Sequence, residues 1–403
     1  MLKHSTNMQN LNIASVIFAA SFIRFIPVWG ELMFALSALI ILSLEISHLR
    51  KSFKTKGNYL YLVVIMFFLL NIAINLKNGG DNSWSLLLFN CLVGVSFSHQ
   101  CYIQNTIRPI YLFTITCDIW VILSFIDVVY KVLFTNYDSH KVFLLLCGYD
   151  NGLGCYLIPT FCLNYFLLVI GKKKSLAIVS MLLSTIQIFL VQSATAMVAI
   201  SLIALLAYLS RNNLIRKILK PIYFLIISVV TFITIIVFRA YDNKIMRWII
   251  EGILHRSMNF TGRTSVWNKA IAYFLTSPIW GHGRDAMYQK TIFFNVTSAH
   301  NIYLDVLTQC GIIGLTLFGL VLLIISLSNK NDLSQEKWFL QVAFFALIIA
   351  LQFESYCGYN GYPLVFILQM LAYFIPMIDY EQNIRRTKTR KITSLKLSLR
   401  KNK

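Results

Sequence analysis

Charged residues are scarce in this chain, and their scarcity is the first guide to its class. Asp, Glu, Lys and Arg make up 13% of the 403 residues, about half the fraction of an ordinary soluble domain. No two of the eight cysteines have the CxxC spacing of a zinc site, and no stretch has the low-complexity composition of a linker. The sequence therefore excludes a soluble domain, a structural metal site and a disulfide framework.

Hydrophobic residues make up 57% of the chain, and they occur in runs of roughly 17 to 25 residues, long enough to span a bilayer. We therefore predict an all-α, polytopic membrane protein, with residues 1–403 in a single integral membrane domain. About twelve transmembrane helices are expected, at residues 11–28, 31–46, 58–76, 84–98, 110–134, 153–170, 176–193, 194–210, 221–238, 311–328, 338–354 and 363–379. The boundary near residue 193 is the least distinct, because the apolar run barely pauses there.

Lys and Arg in the short loops predict the orientation of the chain. When twelve spans alternate, four basic groups fall on the same side as both termini, and the positive-inside rule makes that side cytoplasmic. These groups lie at residues 50–56, 172–174 and 211–220 and in the tail, 380–403. The alternate loops are poor in basic residues and are expected on the outer face.

The formal net charge of +20 follows from this pattern. Basic proteins often bind nucleic acid, but here the charge lies in short loops that flank apolar runs. We therefore expect no nucleic-acid partner. The basic tail predicts contact with anionic membrane lipid instead.

One long polar interval, residues 239–310, interrupts the hydrophobic pattern and is expected on the outer face. Long loops are usually functional or disordered, and the aromatic content of this one argues against disorder. Two helices are expected within it. The first covers residues 264–276, with an amphipathic face suited to a membrane surface, and the second covers residues 298–311. Between them, the turn at 281–283 is expected to leave backbone NH groups open to an anion.

His300 is the first candidate for acid–base chemistry in this interval. In the expected second helix it lies in the first turn, where the positive end of the helix dipole favours a neutral imidazole. A neutral histidine is a suitable general base. Asn301 beside it is the second candidate catalytic residue. The alternative is a histidine that only caps the helix or packs.

Arginines predict an anionic ligand for the same interval. It contains eight Lys or Arg residues against four Asp or Glu residues, although the positive-inside rule disfavours basic residues on the outer face. Arginine forms forked contacts with phosphate oxygens, so Arg263 and Arg284, each next to a glycine, are the first candidates for binding a pyrophosphate. Arg247, Arg256 and, in the first apolar run, Arg24 are reserve candidates. The alternative is that these charges meet lipid headgroups.

Polar residues near the expected ends of other helices are further candidates. Asn151 is expected to line a cleft for a sugar ligand, and Tyr359 is suited to stacking on a sugar ring, although aromatic residues also anchor membrane interfaces. Ionisable residues within or beside apolar runs are costly in lipid and are expected to face an interior cavity. They are Arg24, Glu31, Glu45, Asp118, Asp127 and Glu354.

Taken in order, the motifs of the polar interval resemble those of one family. Gly262-Arg263 is followed by Trp267, then by Ser-Pro-Ile-Trp-Gly-His-Gly at 277–283, then by His-Asn-Ile-Tyr-Leu at 300–304, and Gly-Ile-Ile-Gly at 311–314 opens the next apolar run. This order and spacing is similar to that of the O-antigen ligase and polymerase superfamily. The number of apolar runs and the late position of the large loop extend the resemblance over the whole chain.

The resemblance implies an enzyme of the bacterial inner membrane that polymerises lipid-linked oligosaccharide repeat units into an O-antigen, capsule or exopolysaccharide. It implies a metal-independent transfer without a cofactor, in which an acceptor hydroxyl attacks a glycan carried on a polyprenyl pyrophosphate. His300 would be the general base, with Asn301 orienting it or the acceptor, and Arg263 and Arg284 would stabilise the departing pyrophosphate. The implied partners are the lipid-linked glycan and membrane lipid, with a chain-length regulator and a flippase as candidate protein partners.

One departure bears on the choice within the family. Ligases, and many polymerases, carry an arginine after a serine or threonine where a middle span begins, whereas here residues 192–196 read Gln-Ser-Ala-Thr-Ala. Polymerases vary more widely, so the departure favours a polymerase over a ligase that passes glycan to a lipid core. A flippase of lipid-linked glycan is the alternative from another class, but the sequence lacks the similar halves that many transporters have.

Overall fold

The structure of the chain is a computed structural model that describes residues 2–22, 27–52, 58–135, 144–146, 148–149, 152–237, 248, 252, 263–284, 298–328, 334–356 and 361–378. Within these ranges helices form almost all of the regular structure. The α-helices in chain order are α1 (Leu2–Ala20), α2 (Pro27–Ser52), α3 (Asn58–Lys77), α4 (Asn82–Ile103), α5 (Arg108–Phe134), α6 (Gly154–Val169), α7 (Lys174–Val191), α8 (Ala194–Leu209), α9 (Asn213–Ile218), α10 (Pro221–Thr231), α11 (Arg263–Thr276), α12 (Ile302–Leu327), α13 (Gln335–Ala350) and α14 (Tyr362–Phe374). A π-helical segment (Phe232–Val237) follows α10, a 3-10 turn (Ile375–Met377) follows α14, and two short strands, β1 (Leu144–Leu145) and β2 (Gly148–Tyr149), pair antiparallel.

Five of the described helices are long and apolar enough to cross a membrane, and they lie in α2, α3, α4, α5 and α12. Five shorter apolar helices of 10–17 residues accompany them, in α6, α7, α8, in α10 with its π-helical extension, and in α14 with its 3-10 turn. The predicted all-helical membrane fold is confirmed apart from the small β1–β2 pair. The predicted count of about twelve spans is not confirmed.

The outward faces of the helices are as apolar as the inward faces. On α5, Phe113, Cys117 and Val121 are buried, whereas Ile119 and Ile126 on the other side are more than half exposed. A helix that is apolar all round needs either protein or lipid on every side. The exposed apolar faces therefore indicate lipid contact, and the chain is an integral membrane protein.

Three helices lie at the centre of the bundle. Nearly every residue of α6, α13 and α14 is buried. In this core α14 packs against α4, and α13 packs between α8 and α10. Two of these enclosed helices, α13 and α14, follow the predicted polar interval in the chain, and the third, α6, precedes it.

Helix boundaries follow the local signals in most places. Gln192 adopts a left-handed backbone (φ 55°) that ends α7, and Ser193 stands at the N-cap of α8, so the least distinct predicted boundary is confirmed. The first predicted helix of the polar interval is also confirmed, because α11 ends before Ser277-Pro278, where proline disfavours helical backbone in the preceding residue. The short helix α9 was not predicted.

The second predicted helix of the polar interval begins later than expected. Its first residue is Ile302 rather than Ser298, with Asn301 as the N-cap. It also does not end at Gly311, but continues into the next apolar run across a kink where Gly311 has φ 61° and ψ −161°. A side chain on Gly311 would collide with the backbone of residues 279–280, so this close approach requires glycine.

The ionisable residues predicted to face the interior do so in three of five described cases. Glu45, Asp118 and Glu354 are buried and partnered; Glu45 lies 2.8 Å from the ring Nδ1 of His99, and Asp118 pairs with Lys173. The interior prediction is wrong for Glu31, which is exposed at the start of α2. It is also wrong for Asp127, which is part-exposed and pairs with a lysine one turn along the same helix. The sixth residue, Arg24, lies outside the described residues.

Candidate active site

The turns at one end of the bundle bring three distant parts of the chain together. We call this end the site end; it holds the α3–α4 turn, the turn after α11, His300 and Glu354. The backbone NH of Arg284 donates to Asn75 Oδ1 at 2.8 Å, and this bond joins the turn after α11 to the α3–α4 turn. The ring Nδ1 of His300 lies 2.9 Å from Glu354 Oε1, and this contact joins the segment before α12 to the segment after α13.

His300 is held in a defined orientation directly before α12. Its backbone is left-handed (φ 51°), a conformation uncommon for residues other than glycine, and its NH donates to Ser298 Oγ at 3.1 Å. A carboxylate can only accept hydrogen bonds, so Nδ1 carries a proton toward Glu354. In the neutral ring the lone pair then lies on Nε2, which is the atom able to take a proton from a substrate. The side chain is 28% exposed, so part of the ring is accessible while Glu354 holds the side that faces the protein.

The predicted position of His300 in the first turn of a helix is wrong. Asn301 is the N-cap, with an extended backbone and its Oδ1 accepting from the NH groups of Tyr303 and Leu304 at 3.0 and 3.1 Å. Asparagine is among the strongest N-cap residues, so the helix begins after it and His300 precedes the cap. The neighbour that governs the imidazole is therefore a carboxylate rather than the helix dipole.

Glu354 lies four residues after the end of α13 and is almost fully buried. Its Oε1 faces His300, and its Oε2 accepts from Arg263 Nη2 at 2.9 Å. Burial acts to raise the pKa of the Glu354 carboxyl, but the charge and hydrogen bond of His300 and the charge of Arg263 outweigh it, so the pKa lies below its ordinary value. Glu354 is therefore ionised at neutral pH and accepts a hydrogen bond from each of two neighbours, His300 and Arg263.

Arg263 is delivered to this carboxylate by α11. Val266, Trp267 and Ala270 are buried against a cluster that includes Ala299 and Leu304, and Trp267 Nε1 donates to the carbonyl of Ala299 at 3.1 Å. The amphipathic face expected to lie on a membrane surface is thus packed against α12 and the residues before it. This packing fixes Arg263 one turn from Trp267, at the His300 segment.

The turn after α11 is also packed against the protein. The NH groups of His282 and Gly283 donate to the carbonyls of Thr308 and Gln309 at 2.8 and 2.9 Å. The expectation that this turn leaves its NH groups open to an anion is therefore wrong. The positive φ angle of Gly281 instead allows close contact with α12, and that of Gly283 allows close contact with Asn75 of α3.

Arg284 ends this turn as a nearly buried cation. Its guanidinium carbon lies 4.7 Å from the centre of the Trp84 ring, a cation–π arrangement. The buried carboxylate of Asp305 lies within electrostatic range of both Arg284 and His300. Both predicted pyrophosphate arginines and the predicted base are thus at the site end.

Asn301, the second candidate catalytic residue, is fully buried and structurally engaged. Besides capping α12, it donates from Nδ2 to the carbonyl of Gln352 at 2.9 Å. Gln352 in turn donates to Ser228, whose hydroxyl lies 2.8 Å from the Tyr303 hydroxyl. Asn301 therefore orients His300 through the backbone, and its direct role toward an acceptor stays a prediction.

The remaining candidates lie outside the described residues: Arg24, Arg247, Arg256, Asn151 and Tyr359. Within the described ranges, no three His, Cys, Asp or Glu residues converge as metal ligands would. Sequence reasoning missed Glu354 as a site residue, although it had marked it as a costly charge beside an apolar run. It also missed Asn75 and Trp84. The available signal is that each is a polar or amphipathic residue within an apolar helix, where such a side chain needs a partner.

Comparison with known proteins bears on this arrangement. Residues 179–319, from α7 into α12, match the family model described as O-antigen ligase. Members of this family are membrane glycosyltransferase-like enzymes, a class consistent with polar side chains gathered at one end of a helical membrane bundle. The match confirms the resemblance to the O-antigen ligase and polymerase superfamily, and it includes Arg263, Arg284 and His300. No curated protein matches the chain.

Proposed function

We propose that the chain polymerises lipid-linked oligosaccharide repeat units into a surface polysaccharide at the outer face of the bacterial inner membrane. The observation that carries the proposal is the series Arg263–Glu354–His300. One buried carboxylate holds a candidate general base on one oxygen and a candidate phosphate-binding cation on the other. Glycosyl transfer from a polyprenyl pyrophosphate needs both, one for each side of the reacting carbon.

The proposed reaction is a displacement at the anomeric carbon of the donor glycan. His300 Nε2 takes the proton of the acceptor hydroxyl as its oxygen forms a bond to that carbon. The bond from the carbon to the pyrophosphate oxygen breaks, and the pyrophosphate leaves with the electron pair. Glu354 stabilises the imidazolium that forms, as the carboxylate of a hydrolase triad does. Arg263 and Arg284 are the cations proposed to stabilise the leaving group.

In this scheme the arginines supply the positive charge that a metal ion supplies in many phosphate-transfer sites. The donor is already activated by its lipid pyrophosphate, so no nucleotide is needed. The proposed partners are therefore the lipid-linked glycan and membrane lipid. A chain-length regulator and a flippase remain the proposed protein partners.

A ligase that passes glycan to a lipid core is the second candidate, and the description of the matching family favours it. The start of α8 favours the polymerase. Ser193 stands at the N-cap there, and a side chain on Gly154 would meet both Ala196 and the hydroxyl of Tyr356, which follows Glu354 by two residues in the chain. The segment thus reaches the site end but carries no arginine, unlike the corresponding segment of the ligases.

The His300→Ala variant tests the proposed base. Chain elongation in membranes should fall to background while the protein remains in the membrane in normal amount, because no other described side chain shares the bond to Glu354 Oε1. His48→Ala, at the opposite end of the bundle, is the matched control and should elongate normally. Polymer of normal length from His300→Ala would exclude His300 as the base.

The surface glycan of a strain that lacks the chain separates polymerase from ligase. A single repeat unit on the final acceptor indicates a polymerase, because transfer to the acceptor still occurs. An acceptor without any glycan, with long chains accumulating on the lipid carrier, indicates a ligase. Loss of repeat units from the outer face altogether would instead indicate a flippase.

A further inference from the structure

The α3–α4 region forms hydrogen bonds with the backbone of Arg284, although more than two hundred residues of chain separate them. Asn75, in the last turn of α3, is fully buried. Its Oδ1 accepts from the Arg284 backbone NH at 2.8 Å, and the Asp81 NH donates to the Arg284 carbonyl at 3.0 Å. Both backbone groups of Arg284 are therefore bonded to one short turn.

The amide of Asn75 cannot be replaced by a related group without loss. Its Nδ2 donates to the Asp81 carbonyl and to Ser85 Oγ, both at 2.9 Å, while its Oδ1 accepts from Arg284. An aspartate would turn an acceptor toward the Asp81 carbonyl, and an alanine would leave the buried Arg284 NH unsatisfied. Gly283 completes the fit, because a side chain there would lie 2.8 Å from Asn75 Cα.

The guanidinium of Arg284 is held by a ring rather than by a carboxylate. Trp84, in the first turn of α4, lies under it at 4.7 Å. The nearest acid of the turn, Asp81, is committed to capping α4, where its two carboxylate oxygens accept from Ser83 N and Ser83 Oγ at 2.8 and 2.6 Å. Among the described residues no carboxylate forms an ion pair with Arg284.

A nearly buried cation without a paired carboxylate is costly, and a ring face offsets only part of that cost. An anionic ligand at the guanidinium would supply the rest. The structure thus combines an immobilised backbone and a shaped support for the charge with only a more distant described carboxylate, that of Asp305, to offset it. Arg263 differs in this respect, because Glu354 already neutralises it.

We propose that Asn75 and Trp84 are positioning residues that present Arg284 to the diphosphate of the lipid-linked donor. Asn75 fixes the backbone of Arg284, and Trp84 fixes the direction of its guanidinium. The inference rests on the proposed function, since it assigns the diphosphate to Arg284. It adds that the first part of the chain, through the α3–α4 turn, determines donor binding.

Farnesyl diphosphate is a suitable probe, because it carries the diphosphate and a short prenyl chain but no sugar. Its binding to the purified full-length protein in lipid nanodiscs is measured by calorimetry, with farnesol as the control for partitioning of the prenyl chain. Asn75→Ala and Trp84→Leu should each weaken binding about tenfold. Trp84→Phe keeps a ring face and should bind nearly as the wild type. Asn71→Ala, a buried asparagine one turn earlier on α3, is the matched control.

The same substitutions in an Arg284→Ala background separate positioning from general damage. If Asn75 and Trp84 act through Arg284, neither change should weaken binding further in that background. Equal losses in both backgrounds, or wild-type binding by Asn75→Ala and Trp84→Leu, would overturn the inference and leave the proposed function intact. Failure of the wild type to bind farnesyl diphosphate above farnesol would overturn the diphosphate assignment itself.

Discussion

The Glu354→Gln variant should lose most of its activity while keeping its shape. Glutamine matches glutamate in size and can still bond to one neighbour, so the α13 terminus need not move. It carries no charge, however, and the imidazolium formed when His300 takes a proton would lose its counter-ion. The change therefore isolates the electrostatic contribution of the carboxylate.

The magnitude follows from the geometry. Glu354 Oε1 lies 2.9 Å from His300 Nδ1, which puts the two charge centres about 4 Å apart. At an effective dielectric constant of about 20, such a pair interacts by about 4 kcal/mol. Since about 1.4 kcal/mol corresponds to a factor of ten in rate, and the partly exposed ring is somewhat screened, we expect kcat to fall about 100- to 1000-fold.

Elongation of a lipid-linked repeat unit by purified protein provides the assay, with kcat and KM for the donor determined separately. Glu336→Gln, at the other end of α13, is the matched control and should keep normal kcat. Thermal unfolding of each variant tests whether the fold is retained. A folded Glu354→Gln protein that elongates within threefold of the wild type, about 0.7 kcal/mol, would refute the role of the carboxylate.

Three further predictions concern the fold. The pKa of Glu354 is lowered on folding, so its charge stabilises the fold above the pKa of an unfolded glutamate. This contribution is lost as the pH falls through the lower pKa of the folded state. The melting temperature should therefore drop more in the wild type than in Glu354→Gln between neutral pH and about pH 3. Gly311→Ala should destabilise the protein by at least about 2 kcal/mol, because φ is 61° and the new side chain would meet the turn that follows α11, whereas Gly319→Ala on the same helix meets no atom within 4 Å and should melt normally. Lys173→Met removes the cation from the buried Asp118, which keeps only its hydrogen bonds from Asn164 and Ser180. The variant should cost about 3–5 kcal/mol in unfolding experiments, with polymer length unchanged in whatever protein remains folded.

Local sequence signals account for much of the site, but they leave its partners undetermined. The end of α11 follows from the proline after it, which is visible in the sequence. Its start does not, because Thr264, the expected N-cap, lies inside the helix. The start of α12 is ambiguous locally, because Ser298 and Asn301 are both good N-caps. The left-handed backbone of His300 between them decides for Asn301, and a periodicity argument does not anticipate it.

Contacts between distant residues explain the rest. The pattern around His300 gives no reason to choose Glu354 over another acid, because the two meet only when α13 packs beside α12. Asn75 and Arg284 are 209 residues apart, and neither neighbourhood encodes the other. What the sequence does supply is the cost of burying such groups in an apolar helix, which marks Glu354 as a residue in need of a partner.

The composite origin of the site has a consequence for recombination between relatives. The segment that matches the family carries Arg263, Arg284 and His300, whereas Asn75 lies before it and Glu354 after it. If the matching segment were exchanged alone, His300 would therefore no longer meet Glu354 of its own chain. Arg284 would no longer meet Asn75 of its own chain. Donor preference should transfer between such proteins only when all three stretches are exchanged together. Recombinant genes that combine these stretches from different parents are therefore expected to encode inactive proteins.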